Sequence, residues 1–240
     1  MSMRCTPRLT QMVLLGLVVL GVPTAHAAPI TLPAGLAPGD TYFLVFYTLS
    51  NHDGDSSNIA DYDAFVTAQA NEDADLAALG TTWKAIVSTA TVDAITHIGV
   101  TGPVYNLGGQ QVASGSPDMF DGTLSAPIGF DQHGDFRPKL VWTGSTPQGT
   151  GDGHELGNPF PNMGFISEID GDWIGIHNEV FAGLEGVAGL YSISGPLLVP
   201  TPVPEPNAIS LMLGPLLLLG GAYRRGRHRR ATPTTQFQAR

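Results

Sequence analysis

The chain has almost no cysteine and, over most of its length, almost no positive charge. Its one cysteine, Cys5, lies ahead of the first apolar run and leaves with the leader described below. The mature chain is therefore expected to hold no disulfide, no thiol nucleophile and no cysteine-ligated metal. Of 11 Lys and Arg residues, Lys84, Arg137 and Lys139 alone fall between Ala28 and Pro202. The same stretch holds 20 of the 21 acids, a formal charge of −17 that the whole-chain value of −10 conceals. Coulomb repulsion sets such a surface against DNA, RNA and anionic lipid. Motifs of common enzyme classes are missing as well: there is no P-loop, no H-E-x-x-H and no G-x-S-x-G. Ser114-Gly115-Ser116, Gly144-Ser145-Thr146 and His154-Glu155 are fragments that fall short of these patterns.

What is present begins at the two ends. Arg4 and Arg8 precede an apolar run of 11 residues, Met12 to Val22, which Pro23 stops. Ala25 and Ala27 then supply small residues at −3 and −1 before Ala28. A basic start, a short apolar core and an A-x-A site describe a secretory signal peptide over residues 1–27, too short to span a bilayer. At the other end, a proline-rich linker (201–207) leads into 16 uncharged residues, Ala208 to Tyr223. As a helix these rise about 24 Å, slightly short of the roughly 30 Å hydrocarbon core. Arg224, Arg225, Arg227, Arg229 and Arg230 follow, in a basic segment 224–240 expected to stay on the cytoplasmic side. The reading is a single transmembrane segment (208–223) that leaves the body outside.

The order of these pieces carries a family resemblance. Val203-Pro204-Glu205-Pro206, a short apolar segment and an arginine cluster resemble the PEP-CTERM sorting signal of Gram-negative bacteria. That resemblance implies recognition by an exosortase and passage through the secretion machinery. It also implies a transient inner-membrane intermediate, cleavage near the Pro-Glu-Pro motif, and delivery to the cell surface or exopolysaccharide matrix. The extra segment Ala231 to Arg240 departs from the usual pattern, which ends soon after the basic cluster.

The segment between, 28–200, has the size of one acidic extracellular domain. Thr41 to Leu49 (TYFLVFYTL) reads as a buried central strand. Ser57 or Asn58 can cap a helix from Ile59 to Leu79, with Asp61 and Asp63 near its positive end and Gly80 as its terminator. Its apolar stripe (Tyr62, Phe65, Val66, Ala70, Ala77) weakens at Asp73. No other convincing helix is legible. Short strands are expected at Trp83–Thr89, Val104–Asn106, Gln110–Ala113, Leu140–Thr143, Met163–Ser167, Trp173–His177 and Gly189–Ser194, separated by Gly- and Pro-rich connectors. One early helix packed on many short, mostly antiparallel strands is an α+β domain.

This order resembles the C-type-lectin-like fold, in its bacterial secreted branch related to endostatin-like domains. The matching pieces are Thr82 to Ser88, Val104 to Leu107, Asp121 to Leu124, Val141 to Gly144 and Gly189 to Ser194. The disulfides and the Trp-Asn-Asp calcium triad of lectin-type members have no counterpart here. Glu205-Pro206-Asn207 imitates a sugar-binding triplet but lies inside the sorting signal. The resemblance implies a fold, and sugar binding does not follow from it.

Three clusters are candidate ligand sites. Asp53 and Asp55 in NHDGDSSN have oxygen spacing like that of calcium loops, without the glutamate that closes an EF-hand. Glu168, Asp170 and Asp172 form a second acidic loop ahead of Trp173, which could meet a sugar or belong to the core. Asp131, His133 and Asp135 mix carboxylate and imidazole, short of a full zinc set. Calcium is the one cofactor these loops suggest, and each cluster also reads as an ordinary turn. The leading expectation is a non-enzymatic, surface-delivered module for exopolysaccharide or matrix, with no nucleic-acid partner. Two alternatives stand beside it: a matrix-acting glycan hydrolase using paired carboxylates, and a structural matrix protein bridged by calcium.

Overall fold

The computed structural model of the chain describes residues 28–177 and 188–202. Within them the chain is a mixed α/β body built on one curled eight-stranded sheet. The central strand is β1 (Thr41–Tyr47), all but its first residue buried. It pairs in parallel with β3 (Val104–Asn106) and antiparallel with β7 (Gly189–Ser194), and its start also pairs with β8 (Leu197–Leu198). β4 (Gln111–Ala113) lies beyond β3, while β5 (Leu140–Trp142) and β6 (Met163–Phe165) extend the sheet beyond β7. β2 (Trp83–Ala85) pairs antiparallel with β7. Antiparallel pairing prevails, with β1–β3 and β5–β7 the parallel exceptions.

The continuous apolar run of β1 follows from burial on both faces, since alternate side chains of a strand leave on opposite sides. Phe43, Val45 and Tyr47 join one core with Val104, Ile193, Tyr191 and Trp173. Tyr42, Leu44 and Phe46 join another with Tyr62 and Val66 from helix α1 (Ile59–Ala70) and with Trp83 and Leu190. The helix thus covers one face, and loops with short helical turns cover the other.

The expected helix over Ile59–Leu79 is two helices. Asn58 caps α1 by accepting from the Ala60 N–H, as the sequence suggests. At Asp73, however, the backbone is extended, and its carboxylate accepts the N–H groups of Asp75 and Leu76 to start α2 (Ala74–Ala78). A capping residue needs non-helical angles, so Asp73 starts a new helix two residues after Asn71 closes α1. Gly80 follows α2 with φ +59°, the left-handed terminator expected of it. Two further helices have no counterpart in the sequence reading: α3 (Ala94–Ile98) and α4 (Ser116–Met119). The strand expected at Trp173–His177 is instead a 3-10 turn, Gly171–Trp173, and a single bridge from Ile176 to Met163. Asp170 caps that turn through the Asp172 N–H, which holds the chain out of strand geometry. Among the described residues no helix is long and apolar enough to cross a membrane. Ala25 and Ala27, read above as a leader site, Val203 to Pro206, read as a sorting motif, and the segment 208–223 with the arginines after it lie outside the described residues; Ala28 is the first residue within them.

Candidate functional site

The loops singled out by sequence do not converge. Asp53 is exposed; its carboxylate meets His52 Nδ1 at 3.1 Å and accepts the Asp55 N–H. Gly54 between them has φ +73° and sits against the Trp142 ring, where an added Cβ would lie 3.3 Å from ring atoms. The Gly157 N–H donates to the Gly54 carbonyl, pinning this turn to the 144–157 connector. Asp170 caps its 3-10 turn, and Glu168 lies at 3.5 Å from the Ser167 hydroxyl. Trp173, considered for a sugar-facing role, is fully buried, packed against Phe120 and Tyr191 with ring centroids 5.9 and 5.7 Å away. It is a core residue, and its position excludes a stacking platform at the surface.

Asp131, His133 and Asp135 also divide. Asp131 is wholly buried and its Oδ1 accepts the N–H groups of both His133 and Asp135. His133 Nδ1 instead reaches Asp73 at 3.4 Å, and Arg137 holds Asp135 at 3.0 Å. Backbone turns therefore account for the D-x-x-x-D spacing. Among the described residues no group of three or more His, Cys, Asp or Glu side chains is placed to hold a metal ion.

Two arrangements that sequence reading missed are better organised. The first is an open cleft of about 640 Å³ between α1 and β2, lined by Asp63, Thr67, Asn71, Trp83 and Lys84 among others. Asp63 Oδ1 accepts the Ala85 N–H at 2.8 Å and meets His97 Nε2 at 2.9 Å. Lys84 Nζ donates to the His97 carbonyl at 2.6 Å, so α3, β2 and α1 are tied together behind the cleft. Thr67 donates its hydroxyl proton to the Trp83 carbonyl. The cleft is lined by the polar residues Asp63, Thr67, Asn71 and Lys84 together with Ala64, Ala68 and Trp83. Acceptors and donors beside these apolar groups suit a neutral, hydroxyl-bearing ligand. No residue run announces this cleft, because helix and strand are brought together by the sheet.

The second is the Lys139 ammonium, which donates to the carbonyls of Thr48, Leu49 and Ser50. Burial pushes its pKa down to about 8, against the pull of the Asp131 carboxylate. Beside it the Tyr47 hydroxyl donates to the Arg137 carbonyl and accepts the Arg137 N–H. Burial, then Asp131, pushes Tyr47 up to about 12. The three bases of the body thus have structural partners: Lys84 and Lys139 in backbone carbonyls, Arg137 in carboxylates.

No protein-family model matches this chain, and no curated protein matches it. Function therefore rests on the ordered sequence signals and on the geometry above.

Proposed function

We propose that this chain is exported, held briefly in the inner membrane by its C-terminal segment, and delivered to the cell surface or extracellular matrix. There its acidic body is a non-enzymatic module that binds or organises exopolysaccharide. The observation that carries this reading is the order Val203-Pro204-Glu205-Pro206, uncharged run, arginine cluster, which resembles an exosortase sorting signal. The early central strand, the helix after it and the late β7 strand beside β1 support the lectin-like reading of the body. The α1–β2 cleft is the proposed sugar-binding place, with Asp63, Asn71 and Lys84 meeting hydroxyl groups. Asp63 and His97 serve there as a clamp between elements, a structural role that fits binding without turnover.

The test begins with the mature chain recovered from surface material. Mass spectrometry should find its C-terminus near Pro204 to Pro206. Recovery of the arginine cluster would replace matrix delivery with a stable membrane anchor. On a glycan array the same material should bind with or without a calcium chelator. The variant Asn71→Ala, at an exposed rim position, should weaken binding about tenfold, the equivalent of one good hydrogen bond. Absence of binding under both conditions would sink the carbohydrate reading, and release of sugar would favour the hydrolase.

A further inference from the structure

The described body begins and ends at one place. Thr31 and Leu32, just after the leader, line a shallow groove of about 480 Å³ together with Leu197, Leu198 and Pro200, just before the tail. Tyr42 donates its hydroxyl proton to the Thr31 carbonyl, and β8 pairs with the start of β1, so both ends are fastened to the central strand. This pole is open, and its lining mixes leucine and proline side chains with the polar groups of Thr31 and Thr81. Leu198 is 67% exposed, the most of the large apolar residues described, and Leu32 is 49% exposed, about the level of Phe136, Phe160 and Ile169 elsewhere on the body. None of the residues lining the groove is charged, in a segment with 20 acids. The nearest acid in sequence, Asp40, is exposed; its carboxylate accepts the Ala37 N–H at 2.7 Å and its carbonyl accepts the Val199 N–H beside the groove.

We propose that this pole rests on the lipid bilayer while the tail is still attached, with Leu32 and Leu198 in contact with the lipid interface. The proposal rests on the reading of the tail as a membrane anchor. The uncharged run starts at Ala208, six residues beyond Pro202, which limits the distance to roughly 20 Å even for a fully extended chain. A bilayer holding that run therefore lies within reach of the pole. Two exposed leucines beside a lining without charged residues fit such a surface, since apolar side chains gain by leaving water. The groove lining itself carries no charged residue, so this pole offers less repulsion to an anionic lipid surface than the acid-bearing loops do.

The test uses the leader-free chain from Ala28 to Arg240, which has no cysteine of its own, reconstituted into vesicles of phosphatidylethanolamine with a minority of phosphatidylglycerol. Single nitroxide labels are placed at Leu32→Cys, Leu198→Cys and, as a reference, Ile169→Cys, which is exposed in the Glu168–Asp172 loop outside the groove. The proposal expects labels at 32 and 198 to show a several-fold higher ratio of oxygen to nickel-complex accessibility than the label at 169. If the chain floats with the vesicles but all three labels report water equally, the pole does not rest on lipid, and the anchor reading survives. Failure of the chain to float at all would remove the anchor and this proposal with it. Labels at 32 and 198 shielded from oxygen and nickel alike would identify a protein occupant, and would overturn the lipid assignment.

Discussion

Lys139 illustrates how a single residue can set the pH response of this body. Its ammonium has three backbone carbonyls for company, yet partial burial lowers its pKa from 10.5 to about 8. Between those two values the unfolded chain binds the proton more fully than the folded one. Its contribution to stability therefore rises with pH across the window from about 8 to 10.5. Tyr47 works in the opposite direction: raised from 10.0 to about 12, it favours folding below pH 10 and loses that contribution as pH climbs toward 12. Urea midpoints should therefore increase from pH 8 to 10 in the native chain, and Lys139→Met should flatten that increase. An unchanged slope in the variant would refute the assignment to this amine. Gly164 gives a steric counterpart. A Cβ there would lie 1.9 Å from the Trp173 carbonyl oxygen, so Gly164→Ala must push β6 off the 3-10 turn, at about 3 kcal/mol or more. At Gly80 nothing lies within 4 Å of the added Cβ and the backbone angle is the obstacle, so Gly80→Ala should cost nearer 1 kcal/mol. Equal midpoints for the two variants would contradict this ordering.

At the scale of elements, legibility followed burial. β1 could be read because both its faces are covered, which demands an unbroken apolar run. β3 and β7 have the bounds their β-branched and aromatic residues suggest, Val104–Asn106 and Gly189–Ser194. The α1–α2 break could not be read, because Asp73 looks like a weak point in one stripe until its carboxylate is seen accepting two N–H groups. Helices of five and four residues, α3 and α4, are too short to show a period at all. The cleft and the Lys139 cage were hidden for another reason: the cleft joins side chains from α1 and β2, and the cage is made of backbone carbonyls about 90 positions from Lys139. The Asp73 cap makes a direct prediction. Asp73→Ala should cost about 1 kcal/mol in urea unfolding. Asp75→Ala, in the first turn of the same helix and without a side-chain cap role, should change stability by roughly 0.5 kcal/mol or less. If both variants behave alike, the cap is not what divides the helix.

For the molecule as a whole, the governing quantity is the imbalance of 20 acids against 3 bases between Ala28 and Pro202. With Lys84 and Lys139 turned to carbonyls and Arg137 shared between Asp131 and Asp135, most of the carboxylates face water without a cation. Their mutual repulsion opposes the compact state and is screened by salt within a Debye length of about 10 Å at 0.1 M. Monovalent salt should accordingly raise the melting temperature, steeply at first and then reaching a plateau as screening becomes complete. Calcium adds a separate question, because a bound ion stabilises by mass action and screening does not saturate at the stoichiometry of a site. The acidic loops at Asp53–Asp55 and Glu168–Asp172 each direct hydrogen bonds into their own turns, and the described residues place no three ligands together. At matched ionic strength, calcium should thus shift the melt no further than sodium. A further shift that saturates with calcium concentration would mean that a site assembles beyond the described residues or between copies. That outcome would favour the calcium-bridged matrix protein over a free-standing binding module.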